Sequence, residues 1–384
     1  MKAIVAGMIA TYPVGGVAWD YGQYALGLER LGFEVYYLED SGLDWYHPAE
    51  RTYGPAYGYG IDFLQQSLAA LSPRVGERWH VRTPEGATHG LPMDDFRDVI
   101  AEADVLLNVS GSALMRDDYL HCRNKVLIDT DPGLTQLRNF PQWDARPNWM
   151  GTHGYRAHDH FFTYAELIGT AQCALPTLGL AWQPTRPPVV LELWRAKPAG
   201  ERWTTVMSWR ELKPIEYQGR RYGGKELEFE RIELLPRHTT APLEIAVGGN
   251  APTERWRALG WSVIDSQSVS GSPNEYRSYV EGSRGEFSVA KNTYVATHCG
   301  WFSCRTACYL AAGRPAVIQD TGYSQLFPCG EGVVAFRDLE GAAAGLERIE
   351  DDYPAHRLAA RSFAETHFAS ERVLGSLLER VGVG

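Results

Sequence analysis

The first apolar run of the chain, AIVAGMIA, leads through a glycine-bearing loop, TYPVGGVAW, into DYGQYALGLERLG, whose apolar positions recur at helical spacing, and then into a second run, FEVYYLED. Strand, loop, helix and strand in that order make one βαβ unit, whose crossover is right-handed almost without exception and so builds a parallel sheet. Gly32 stands where a helix C-terminus turns left-handed. Further strands are expected at ADVLLNVS (103–110), KVLIDTD (125–131) and HFFTYAE (160–166). Their continuous apolar character suits burial on both faces.

Periodicity lapses between 174 and 202, where ALPTLGLAWQPTRPPVVLELWRAKPAGER carries five prolines, the composition of a connector. Alternation then resumes with the runs WTTVMSW, LEIAVGG, WSVID, GEFSVA and PAVIQD, separated by helical patterns such as TERWRALG, NEYRSYVEGS and CRTACYLAAG. From Asp338 onward the pattern is helical throughout. Two alternating halves predict an α/β protein of two Rossmann-like, doubly wound domains facing a central cleft, with C-terminal helices returning to the first domain. The expected divisions are 1–190, 191–365 and 366–384.

Composition narrows the function more than the fold. A chain of 384 residues with 44% hydrophobic and 22% charged residues has ample core for two domains. Its formal net charge of -10 argues against a nucleic-acid surface, which needs clustered Lys and Arg. Six cysteines without a CxxC pair read as reduced thiols. The apolar start reads as a first strand and not as a signal peptide, and no stretch offers the roughly 20 apolar residues of a membrane helix. A cytoplasmic enzyme is expected.

Ligands of open α/β sheets gather at the carboxyl ends of strands. The richest such loop is THCGWFSCR (297–305), which opens the helix CRTACYLAAG. Ser303 is the expected N-cap, and the bare amides and dipole of the first turn favour an anion. Gly300 permits close approach, and a cation at Arg305, unfavourable to the dipole, makes sense beside a bound anion.

THCGWFS followed by AAGRP resembles the HCGWNS and AGVP elements of the donor-binding signature of nucleotide-sugar glycosyltransferases of the GT-B fold. Phe302 stands in place of the usual Asn, and the acidic ribose contact is missing near Thr306, which places the resemblance in a bacterial branch distant from the plant-type group. The resemblance implies transfer of a sugar from a nucleotide-diphosphate donor to a small-molecule or glycan acceptor, with no metal and no cofactor beyond the donor. It implies diphosphate contacts from His298, Gly300, Trp301, Phe302 and Ser303, with Asp320, Thr321 and Gln325 in QDTGYSQ reaching the sugar. Lys225 in RRYGGKE and Lys291 after GEFSVA are expected phosphate clamps, and Gly15 and Gly16 are expected near the diphosphate or acceptor.

An inverting transfer also needs a general base from the first domain, for which Asp20 and His153 are the candidates. HGYRAHDHF (153–161) and DTDP (129–132) invite a metal but read more simply as turns. The competing functions are a nucleotide-sugar 2-epimerase of the same fold, drawing on Glu281, Glu286 and the histidine cluster, and a nucleotide-binding module without catalysis.

Overall fold

The computed structural model describes residues 1–55, 57–146, 148–209 and 213–383. In the first half, β1 (Lys2–Ala6), β2 (Glu34–Glu39), β5 (Trp79–Arg82), β6 (Thr88–Gly90), β7 (Val105–Val109), β8 (Lys125–Asp129), β9 (His160–Thr163) and β10 (Trp182–Pro184) form one sheet, ordered 10-9-8-7-1-2-5-6. Only the β5–β6 pair is antiparallel. A separate hairpin, β3 (Trp45–His47) and β4 (Thr52–Gly54), follows β2.

In the second half, β11 (Trp203–Ser208), β14 (Leu243–Gly248), β15 (Ser262–Asp265), β16 (Gly285–Ser288), β17 (Ala316–Gln319) and β18 (Val333–Phe336) form a parallel sheet ordered 15-14-11-16-17-18, and β12 (Ile215–Tyr217) pairs with β13 (Arg220–Tyr222) as a hairpin beside it. Strand order reverses between β1 and β7 in the first sheet and between β11 and β16 in the second, and crevices form at such switch points.

The strands read from apolar runs are all present. Of the strands the pattern hides, β6, β10 and β18 are edge strands and β5 is next to an edge, and all four are three or four residues long. β10 occupies part of the proline-rich connector, and Pro184 is tolerated because it ends an edge strand.

The two halves are joined through the helix Gly15–Arg30, of which eleven residues are buried. Trp19 lies 4.8 Å from Trp194 and its Nε1 donates to the Pro273 carbonyl at 2.7 Å. On its far side, Gly27 leaves room for the C-terminal helix Ser370–Val381, since a Cβ there would lie 2.5 Å from Leu374 Cδ1. Leu374, Leu377, Leu378 and Val381 complete the core around β1, β2 and β7, so the tail returns to the domain where the chain begins. The outgoing and returning crossings touch: Val189 N donates to the Phe368 carbonyl at 2.7 Å, and Ser370 N donates to the Val189 carbonyl at 2.9 Å. Among the described residues, no helix is long and apolar enough to cross a membrane.

Candidate active site

The loop from Thr297 to Ser303 is fixed from both domains. His298 and Gly300 adopt left-handed backbones, with φ of 50° and 80°. At Gly300 a Cβ would meet Leu167 and Leu326 at 3.0 Å, so glycine is required by packing as well as by φ. Leu167 N donates to the Cys299 carbonyl at 3.0 Å, and Trp301 Nε1 donates to the Thr130 carbonyl at 3.0 Å. The Trp301 ring stacks on Tyr294 at 4.2 Å, and Thr321 Oγ1 donates to the Trp301 carbonyl at 2.6 Å.

This loop delivers the helix Cys304–Ala311 with its amino end open. Ser303 holds the N-cap position with an extended backbone, yet its hydroxyl makes no capping bond. Thr306, in the first turn, is fully buried and its Oγ1 has no hydrogen-bond partner among the described residues. Both line a space of about 240 Å³ with Ser288, Ala290, Gln319 and Thr321. Buried hydroxyls are rarely left unsatisfied. An unpaired hydroxyl beside bare helix amides, at the positive end of the dipole, has the chemistry of a phosphate site.

A second space, about 420 Å³, opens between the domains. Its lining includes Lys213, Lys225 and Lys291 from the second half and Asp131 from the first. Lys291 Nζ lies 2.6 Å from Asp131 Oδ2, and Tyr294 OH donates to Asp131 Oδ1 at 2.5 Å. Asn292 N donates to the Gly224 carbonyl at 3.0 Å, which pins the segment bearing Lys225 to the loop bearing Lys291. Buried Glu228 accepts from Asn292 Nδ2 at 2.7 Å and from Gln319 Nε2 at 2.6 Å, while Ala290 N donates to Gln319 Oε1 at 3.1 Å. One network thus fixes the loops after β16 and β17 that border both spaces. Lys213 was missed in the sequence; its signal is its place just after β11, the central strand of the second half.

Asp20 reaches the same region from the first helix. Its carboxylate accepts from the thiol of Cys304, the first residue of the tip helix, and one turn on Gln23 Nε2 lies 3.6 Å from Cys308 Sγ. Burial pushes the Asp20 carboxyl up to about 6, against the opposing effect of the Cys304 bond. A carboxylate with that affinity for a proton, beside an anion pocket, is suited to general base work.

Other expected residues are placed differently. Gly15 and Gly16 start the first helix and carry no positive φ; a Cβ at Gly15 would lie 2.2 Å from the Ser272 carbonyl oxygen, and Gly16 N donates to Ser270 Oγ at 3.3 Å. They are glycines because the two domains meet there. Gly15→Ala should destabilise the protein by about 1–3 kcal/mol. Faster proteolysis in the connector would report it, and an unchanged melting curve would refute it.

The Phe302 ring is core, packed against Tyr323 at 5.3 Å and Phe368 at 4.9 Å, while the residue borders the space at the helix tip. The Arg305 guanidinium turns under the helix, donating to Glu286 Oε1 at 2.6 Å, the Val206 carbonyl at 2.7 Å and Ser288 Oγ. Its anion is a protein carboxylate, not a ligand. Asp320 is likewise spent on the fold: it accepts from Gly322 N at 2.9 Å, Ser324 Oγ at 2.8 Å and Arg337 at 2.9 Å. Although burial opposes it, these bonds hold its carboxyl below the ordinary value. His298 Nε2 pairs with Gln325 Nε2 at 2.6 Å, so these two remain together beside the loop.

His153 pairs with Asp117 at 2.6 Å on an exposed turn, and its amide is bound to the Met115 carbonyl; nothing brings it to the helix tip. His158 is buried against Asn108 at 3.0 Å and the Tyr155 carbonyl at 2.7 Å, and burial lowers its ring to about 4. The acids on which an epimerase would draw are engaged as well: Glu281 accepts from Arg195 N at 2.8 Å and pairs with Lys197 at 2.5 Å, and Glu286 holds Arg305. Trp209 belongs to the core with Phe229 and Trp256.

No protein-family model and no curated protein matches the chain. Solved structures do. The chain is similar to AviGT4, a glycosyltransferase involved in avilamycin A biosynthesis, at 12% identity over 99% of this chain and 97% of that one, with a TM-score of 0.54. It is similar to Anabaena HepE in complex with UDP-glucose at 9% identity over 100% of both chains, with a TM-score of 0.59. A glycosyltransferase from Rickettsia africae aligns at 10% identity over 99% and 97%, with a TM-score of 0.50. Likeness at these identities is one of fold, and the fold is GT-B, two Rossmann-like domains about a cleft.

Proposed function

We propose that the chain is a metal-independent glycosyltransferase that carries a sugar from a nucleotide-diphosphate donor to an acceptor hydroxyl or amine, with 1–190 as acceptor domain, 191–365 as donor domain and 366–384 packing back on the first. The observation that carries this reading is the uncapped tip of the helix Cys304–Ala311, where the Thr306 hydroxyl lies buried without a partner beside a lysine-lined cleft. The structure of HepE with UDP-glucose supports the choice of donor.

In this reading the helix amides, Ser303 and Thr306 hold the diphosphate, and Lys291 exchanges Asp131 for a phosphate oxygen. The acceptor oxygen attacks the anomeric carbon as its proton passes to the Asp20 carboxylate. The bond from that carbon to the diphosphate oxygen breaks, and the charge arriving on the diphosphate meets preorganised donors, which is the largest source of rate acceleration in such transfers. A base on the acceptor side makes the transfer inverting.

A ligand that binds only the folded state raises its melting point by mass action, by about 2.7 kcal/mol of stability at a hundredfold excess over Kd. In a thermal-shift screen of nucleoside diphosphates, one base family should stabilise the protein, and Ser303→Ala, Thr306→Val and His298→Ala should each reduce the shift. A screen in which no nucleoside diphosphate moves the transition sinks the proposal.

A further inference from the structure

Five of the nine exposed large apolar side chains among the described residues lie in two segments of one domain: Leu43, Tyr53 on strand β4 and Tyr59 at the start of the helix Tyr57–Leu71, all after β2, and Trp149 and Met150 after β8. Both segments leave the carboxyl edge of the first sheet, the edge that borders the cleft. They converge there, since a Cβ on Gly42 would lie 2.9 Å from the Met150 methyl. Monomeric proteins rarely leave apolar surface concentrated in this way without a use for it.

The patch is rigid where it is aromatic. Tyr53, 60% exposed, packs edge-on to Tyr12 at 6.3 Å and at a tilt to Tyr46 at 5.1 Å, and Trp149 rests on Trp143 at 4.9 Å. Arg51, with φ of 54°, makes the turn between β3 and β4 and pairs with Asp265 of the second domain, which holds the hairpin against the cleft rim. Met150, 45% exposed, supplies an adaptable unbranched surface beside Gly42, where the two segments meet.

Charge around the patch selects among occupants. Tyr57 OH donates to Glu85 at 2.6 Å, and Asp44 stands near the same ring. Of the nearby bases, Arg51 is held by Asp265, Arg116 by Asp40 and Arg156 by Asp144, and Arg146 lies over the Trp149 ring at 5.1 Å. Arg51, Arg116 and Arg156 are thus already paired with carboxylates, and acids stand near the patch, so a phosphorylated or carboxylated acceptor is disfavoured. Leu43 and Met150 offer no hydrogen bonds to the hydroxyls of a saccharide.

We infer that this patch is the acceptor subsite and that the acceptor is an uncharged, hydroxylated ring compound, an aromatic or alicyclic aglycone. The inference rests on the proposed glycosyl transfer and names its second substrate class. Flat aromatic anchors hold such rings by stacking and burial.

The test is calorimetric binding of 7-hydroxycoumarin, quercetin and β-estradiol, with maltose and N-acetylglucosamine as saccharide counterparts, to the full chain and to Tyr53→Ala and Met150→Ala. Both sites are exposed, so the variants should fold, and their thermal response to nucleoside diphosphate serves as the control. Saturable binding of at least one ring compound, weakened about tenfold in each variant, is the expected result and corresponds to about 1.4 kcal/mol per side chain. Binding of saccharides alone, ring binding indifferent to both substitutions, no binding of any probe, or concentration-dependent dimerisation that Tyr53→Ala abolishes would each overturn it. Loss of the diphosphate response in the unmodified protein would instead refute the transferase reading, so the two failures are distinguishable.

Discussion

Asp20→Asn is expected to lower the turnover of sugar transfer by about 10²–10⁴-fold while leaving the thermal response to nucleoside diphosphate in place, because removing a positioned base costs that much and removes no phosphate contact. The reacting form of Asp20 is the carboxylate. Since burial raises its carboxyl from 3.8 to about 6, transfer by the unmodified protein should fall as pH drops below 6 and level off above it. Stability runs the other way. The folded state binds this proton more tightly than the unfolded one, so the contribution of Asp20 to stability is highest below pH 3.8 and declines as pH rises toward 6. The asparagine variant should therefore melt higher than the parent at pH 8, by roughly 1–3 kcal/mol of stability, and gain little at pH 4. A variant that transfers within twofold of the parent would remove Asp20 from the chemistry. One that is slow but melts lower at pH 8 would mean that the carboxylate is structural.

The largest expected loss of stability comes from Arg305→Leu. Glu286 is fully buried, and Arg305 supplies its ion pair. Removing one partner of such a pair strands the other charge, at about 3–5 kcal/mol. Replacing both residues, as in Arg305→Leu with Glu286→Leu, should recover much of the loss, because two apolar groups of similar volume leave no charge to solvate. Chemical denaturation of the two variants and the parent would show this. If Arg305 contacted the donor, the single variant would instead retain its stability and lose its response to nucleoside diphosphate.

The sequence displayed the fold wherever burial on both faces left a continuous apolar run, as in VLLNV of β7 or KVLID of β8. It concealed strands such as WHVR of β5 and THG of β6, whose place in the sheet is set by a neighbour's open edge and not by their own composition. The helix tip was legible because glycine, a small cap residue and a following apolar helix lie within a few positions of one another. Partners remote in sequence were not legible. Arg305 reads as a cation awaiting an anion until Glu286, nineteen residues earlier on the adjacent strand, is seen beneath it. Gly15 and Gly16 read as a ligand loop because the Ser272 carbonyl that excludes a side chain belongs to the other domain. Thr306 has no sequence signal at all, since its interest lies in a hydroxyl left without a partner.

The paired crossings at Val189 and Ala369 bear on how a donor gets in. Two peptide strands that bond to each other where they pass between the domains behave as the spine of a book, along which the covers swing but from which neither slides. Opening the protein then amounts to rotation about that line. Arg51 with Asp265 and Lys291 with Asp131 are ion pairs between the two halves that such a rotation would have to part.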